Sequence, residues 1–158
     1  MRKVRSASRA WPAVFMLLAI PGIPSAMAKD LNALAAFVAP AYTAMNFAVV
    51  CAPHDPVFLS QTSGPRGTAL AYAEHVKNEA IVSLSDEEAA VALKAAADVA
   101  RAAALQTLRA FNAPDRAVEQ ARIAKWCEGD ARQFVRAFIE HHDANHETLL
   151  SRVEQARR

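Results

Sequence analysis

Long runs of the chain carry apolar side chains at three- and four-residue spacing, and short breaks rich in proline, glycine and aspartate separate them. That spacing places the apolar residues on one face of a helix. No run alternates with period two, so the pattern predicts helices and essentially no sheet. A first helix is expected over residues 29–50. Asp30 serves as its N-cap, and Leu31, Leu34, Phe37 and Val38 lie along one face. Pro40 falls inside this run and is expected to kink or divide it. Met45, Phe47, Val49 and Val50 then continue the pattern to Cys51.

Residues 52–66 form the longest connection, built on Pro53, Asp55, Pro56, Ser63, Gly64 and Pro65. Within it Val57-Phe58-Leu59 is apolar enough to be expected against the core. Pro65 suits the first position of a second helix reaching about Val82. Leu70, Ala73, Val76 or Lys77, and Ile81 are its inward and boundary positions. Ser85 followed three residues later by Glu88 is a capping box, and it opens a third helix that runs to Phe111. Val91, Leu93, Val99, Leu105 and Leu108 supply bulk there, and alanine fills most of the rest. Such alanine-lined helices can approach closely.

Asn112-Ala113-Pro114-Asp115 reads as a stop and restart, with Pro114 at N1 and Asp115 favouring the positive end of the new helix. Val118, Ile123 and Trp126 lead to Cys127. Gly129 is expected to weaken the helix there and Asp130 to cap a fresh one. Phe134 or Val135, Phe138, His142, Leu149 and Val153 then mark a final apolar face. The expected fold is all-α: a single-domain bundle of about four main helices, one or two of them bent.

The first residues stand apart from this pattern. Arg2, Lys3, Arg5 and Arg9 precede an apolar stretch from Trp11 to Ile20. Pro21, Gly22 and Pro24 follow, and then Ala26-Met27-Ala28. That order predicts a secretory signal peptide over residues 1–28, cleaved after Ala28, which leaves residues 29–158 as the domain. The stretch is too short to be a retained anchor, because spanning a bilayer takes about 20 apolar residues. Removing the leader changes the charge. The formal net charge is +2 for the whole chain, with 18 Lys and Arg against 16 Asp and Glu. Four basic and no acidic residues go with the leader, so 14 basic residues face 16 acidic ones and the balance becomes −2. The basic character is a targeting signal, and nucleic-acid binding is excluded on that ground.

Export gives the two cysteines a role. In an oxidising compartment an even pair bridges, so a Cys51–Cys127 disulfide is expected, closing a separation of 76 residues. A loop of that length is worth about 4 kcal/mol in chain entropy. No CxxC spacing supports redox catalysis. The compartment is the periplasm or the exterior.

The densest group of titratable side chains is Glu140-His141-His142-Asp143-Ala144-Asn145-His146-Glu147. His142 and His146 are four apart, so on a helix both imidazoles reach one side. The spacing is that of the H-E-x-x-H zinc motif, with Asp143 where the glutamate would stand. Aspartate is one methylene shorter and the downstream third-ligand signature is missing, so no family is assigned. A third ligand could come from His141, Glu147, Glu140 or His75. The alternative reading makes His142 a packed histidine, since it falls in register with Phe138 and Leu149.

Tyr72, His75 and Glu79 form a second constellation, in which His75 and Glu79 are spaced to pair. They are either half of an interhelical metal site shared with the His141–His146 group or a solvated face with an ion pair. A b-type haem between Met45 and a C-terminal histidine is a lesser reading, and the absence of CxxCH excludes covalent attachment of the c type. There is no Gly-x-Ser-x-Gly and no phosphate loop at Gly64-Pro65-Arg66-Gly67. With no complete catalytic set, the expected role is non-enzymatic. The chain reads as an exported protein that binds a partner in the cell envelope. The alternative is a protein that binds a divalent transition metal through His142 and His146, with a metallohydrolase as a further lesser reading.

Overall fold

The computed structural model describes residues 28–82 and 84–156, leaving out the side chains of residues 28–30, 146, 149, 150, 152, 153 and 156. The expected leader lies, apart from Ala28, outside the described residues, as do the side chains of Leu149 and Val153. The chain forms α1 (Ala28–Cys51), α2 (Phe58–Gln61), α3 (Ala69–Ile81), α4 (Asp86–Arg109) and α5 (Arg116–Trp126). A π-helical turn (Cys127–Ala131) then leads without interruption into α6 (Arg132–Ala156). Among the described residues there is no strand. The fold is the all-α bundle that the helical spacing predicts.

Pro40 does not divide α1, which continues through it as one helix. The proline removes the hydrogen bond that the Ala36 carbonyl would accept, but Ala36 is exposed and its carbonyl can turn to water. By length and composition, residues Leu31–Cys51 could cross a membrane; half of that stretch is buried inside the bundle. The same composition serves a core helix, and α1 packs against α3, α4 and α6.

Expectation and structure part on α4. Its buried residues are Ala92, Ala96, Ala100 and Ala104, all at four-residue spacing, while Val91, Val99 and Leu105 are exposed. α1, which packs along α4, buries Ala35, Ala39, Ala41, Ala44 and Ala48 of its own. Methyl side chains on the buried face of α4 let the two backbones come close, and bulk there would hold them apart. The Ser85–Glu88 capping box is present, with both reciprocal hydrogen bonds made.

The connection after α1 is pinned rather than loose. The buried Asp55 carboxylate accepts from the Val57 amide at 3.2 Å and pairs with Arg132 of α6. Phe58 is fully buried, while its neighbours Val57 and Leu59 face out. Pro65 does not open α3. It sits in a tight turn in which Gly64 and Gly67 exchange backbone hydrogen bonds of 2.9 and 3.0 Å. Gly67 has φ of 111°, a conformation that side chains resist, and the helix starts four residues later than expected, after Thr68.

Two further corrections concern the last segment. Asp115 itself is the N-cap of α5, accepting from the Ala117 amide at 2.8 Å, so Pro114 lies outside the helix. Gly129 and Asp130 neither end nor restart a helix, because both lie inside the π turn. Residues Ile123, Cys127, Ala131, Val135 and Ile139 are buried at an unbroken spacing of four. In an α-helix four residues advance 400°, so such a stripe drifts around the axis by about 40° per step. The wider π turn advances each residue less and takes back part of that drift. Cys127 thereby reaches Cys51, and the disulfide spans a Cα–Cα distance of 5.3 Å with both cysteines fully buried.

Candidate metal centre

His75 and Glu79 are one turn apart on α3, next to the buried stripe of Tyr72, Val76 and Ala80. His142 extends the buried stripe of α6 beyond Val135 and Ile139 and is itself only 2% exposed. Helix packing brings these three side chains together across the α3–α6 contact. His75 Nε2 lies 3.0 Å from Glu79 Oε1, and His142 Nε2 lies 4.0 Å from Glu79 Oε2. The two imidazole rings have centroids 5.4 Å apart and planes at 67°.

Ligand-type atoms of all three residues fall within 4.8 Å of one another. Ligands around a tetrahedral zinc ion sit roughly 3.3 Å apart, given bonds of about 2.0 Å. The observed spread is therefore within reach of small side-chain rotations. Two imidazoles and one carboxylate also form one of the usual three-ligand zinc sets, which leaves a position open.

A second set of polar groups borders the three. The Tyr72 hydroxyl donates to Asp143 Oδ2 at 2.7 Å and accepts from the Arg66 amide at 3.3 Å. Burial raises the Tyr72 pKa, and the hydrogen bond to Asp143 raises it further. The Arg66 guanidinium lies between the sets, with Nη1 2.5 Å from His75 Nε2 and Nε 3.6 Å from Asp143 Oδ1. Arginine can only donate, so in this contact His75 Nε2 is the accepting atom.

Among the sequence candidates, the structure brings His75 and His142 together and adds Glu79 from the second constellation. Asp143 faces Tyr72 and Arg66, and its Oδ1 is 3.9 Å from His142 Nδ1, beyond hydrogen-bond length. His141 is exposed, and Asn145 Nδ2 contacts both its Nδ1 at 3.1 Å and its carbonyl at 3.0 Å. Glu140 and Glu147 are exposed as well. The side chain of His146 lies outside the described residues, but the backbone before it is informative. Asn145 has φ −121° and ψ 17°, so α6 kinks between His142 and His146, and the helical relation that would align the pair is interrupted. Mid-helix asparagine competes for the backbone in this way. Met45 packs at the edge of the apolar cluster around Leu31, Leu34 and Val38.

Arg66 was not anticipated. The sequence signal available was the Gly64-Pro65-Arg66-Gly67 turn, which folds back over the first turns of α3. No protein-family model matches the chain, and comparison with curated proteins and with solved structures yields no match either.

Proposed function

We propose that the protein is an exported helical bundle that holds a divalent transition-metal ion between α3 and α6, with His75, Glu79 and His142 as its ligands. The observation that carries this reading is the convergence of three ligand-type side chains from two helices within 4.8 Å. Two of them are separated by 67 positions in the chain, so their meeting comes from the fold and not from local sequence. Imidazole donors suit zinc, copper or nickel, and the carboxylate favours zinc among these. The leader pattern and the disulfide support export to the periplasm or beyond. The role is non-enzymatic, as the sequence suggests, and consists of holding the metal. Partner binding in the envelope is the weaker proposal. The exposed large apolar residues include Val49 on α1, Leu70 on α3, Val82 just after it, Leu105 on α4 and Val118 on α5, and so are spread over the bundle.

Calorimetric titration of the purified protein with Zn(II) tests the reading. One ion per chain is expected. His75→Ala and His142→Ala should each weaken binding by more than the roughly 10–100-fold that loss of an outer partner costs. Stoichiometric binding that survives both substitutions would remove it.

A further inference from the structure

In the cluster His75 Nε2 faces two neighbours that make opposite demands. Arg66 Nη1 at 2.5 Å requires a lone pair on that nitrogen, whereas Glu79 Oε1 at 3.0 Å is itself electron-rich. The guanidinium is the cation seated on this nitrogen, and its Nε lies 3.6 Å from Asp143 Oδ1. The Nε2 lone pair is also the one a metal would need. The two cations therefore compete for one atom.

The surroundings give the competition a direction. His142, 2% exposed, closes the inner side, while the Arg66 side chain is 40% exposed on the outer side. Arg66 rides on the Gly64–Gly67 turn, which is docked to the bundle through its amide and the Tyr72 hydroxyl. The side chain can swing outward while the turn stays in place, and Asp143 offers it a partner at the rim.

We propose that Arg66 holds the cation position of this cluster and that a metal ion enters by exchange with its guanidinium. This rests on the metal-binding reading above and specifies its regulation: the protein carries its own competitor, which shields the ligand set until the metal is present. Metal affinity is thereby set lower than three such ligands alone would give.

The test is Zn(II) calorimetry on the wild type, Arg66→Ala and Arg66→Gln, with helix content checked by circular dichroism. It is paired with the NMR signal of the Arg66 Nε–H group during titration. Arg66→Gln keeps much of the side chain, so the result stands even if the alanine variant loses its fold. Exchange predicts affinity roughly tenfold or more higher in the variants, because a charged hydrogen bond to the ligand atom has been removed. It also predicts that the Arg66 Nε–H signal of the wild type moves with the same midpoint as zinc uptake. Simple charge repulsion would raise affinity in the variants without moving Arg66, so a stationary signal in saturated wild type overturns the proposal. Equal or weaker binding in both variants overturns it too and leaves the metal reading intact. Zinc bound by the variants alone shows the ligand set to be real but exchange not to occur in the natural protein. No binding by any of the three proteins removes both readings.

Discussion

The Tyr72 hydroxyl is fully buried, yet it is both donor to Asp143 and acceptor from the Arg66 amide. Burial, and then the Asp143 hydrogen bond, raise its pKa above the ordinary value of 10.0. A phenol held protonated in this way contributes fully below its unfolded pKa, and that contribution is lost as pH rises through the folded one. Stability should therefore fall above about pH 10. Tyr72→Phe should begin lower by about 1–3 kcal/mol, because Asp143 and the Arg66 amide lose a partner, and should show a shallower alkaline decline. Tyr42, also raised by burial, titrates in both proteins, so the difference between their denaturant midpoints at pH 7 and pH 11 isolates Tyr72.

A neighbouring residue sharpens the same point. A Cβ on Gly64 would lie 2.5 Å from the Tyr72 hydroxyl and 2.6 Å from Ile139 Cγ2, so the turn bearing Arg66 could not stay seated. Gly64→Ala is expected to lose about 1–3 kcal/mol in a thermal or denaturant melt. Nothing lies within 4 Å of the same atom built on Gly129, where alanine should be neutral or add up to about 1 kcal/mol. Sequence alone ranks these glycines in reverse, since Gly129 interrupts a helical pattern and Gly64 sits in an ordinary turn.

At the scale of elements, the helices and the cap at Ser85–Glu88 were legible because they rest on local rules. The capping box at Ser85–Glu88 and the helical periodicity need only a few adjacent residues. Which face turns inward was not legible on α4, where two stripes of equal period compete. Weighting by bulk selects Val91, Val99 and Leu105, whereas the close contact with α1 selects the alanines. The site follows the same division. His75 and Glu79 could be paired from spacing, but His142 joins them only through the packing of α3 on α6, and Arg66 only through the Gly64–Gly67 turn that seats it over α3. The alanine seam makes its own prediction. Ala96→Leu should destabilise by about 1–3 kcal/mol through overpacking, and Val99→Ala on the outer side should change little. Urea melts of the two variants would distinguish a size-selected seam from a bulk-selected core.

For the whole molecule, two ties cross the bundle at different heights. The disulfide joins the end of α1 to the π turn before α6, and the ligand cluster joins α3 to α6 farther along. Fifteen residues separate Cys127 from His142, or about 22 Å at 1.5 Å per residue. Sites that far apart with no shared partners usually contribute additively. Replacing both cysteines with alanine should therefore lower stability by about 4 kcal/mol in chain-entropy terms, whether or not metal is present. Zinc at a hundredfold excess over its dissociation constant should add about 2.7 kcal/mol to the wild type and to the cysteine-free protein alike, and nothing to His142→Ala. Chemical unfolding of the three proteins with and without Zn(II) measures each increment separately. A zinc increment that disappears with the disulfide would mean that the bridge, and not helix packing alone, sets the spacing of α3 and α6 at the cluster.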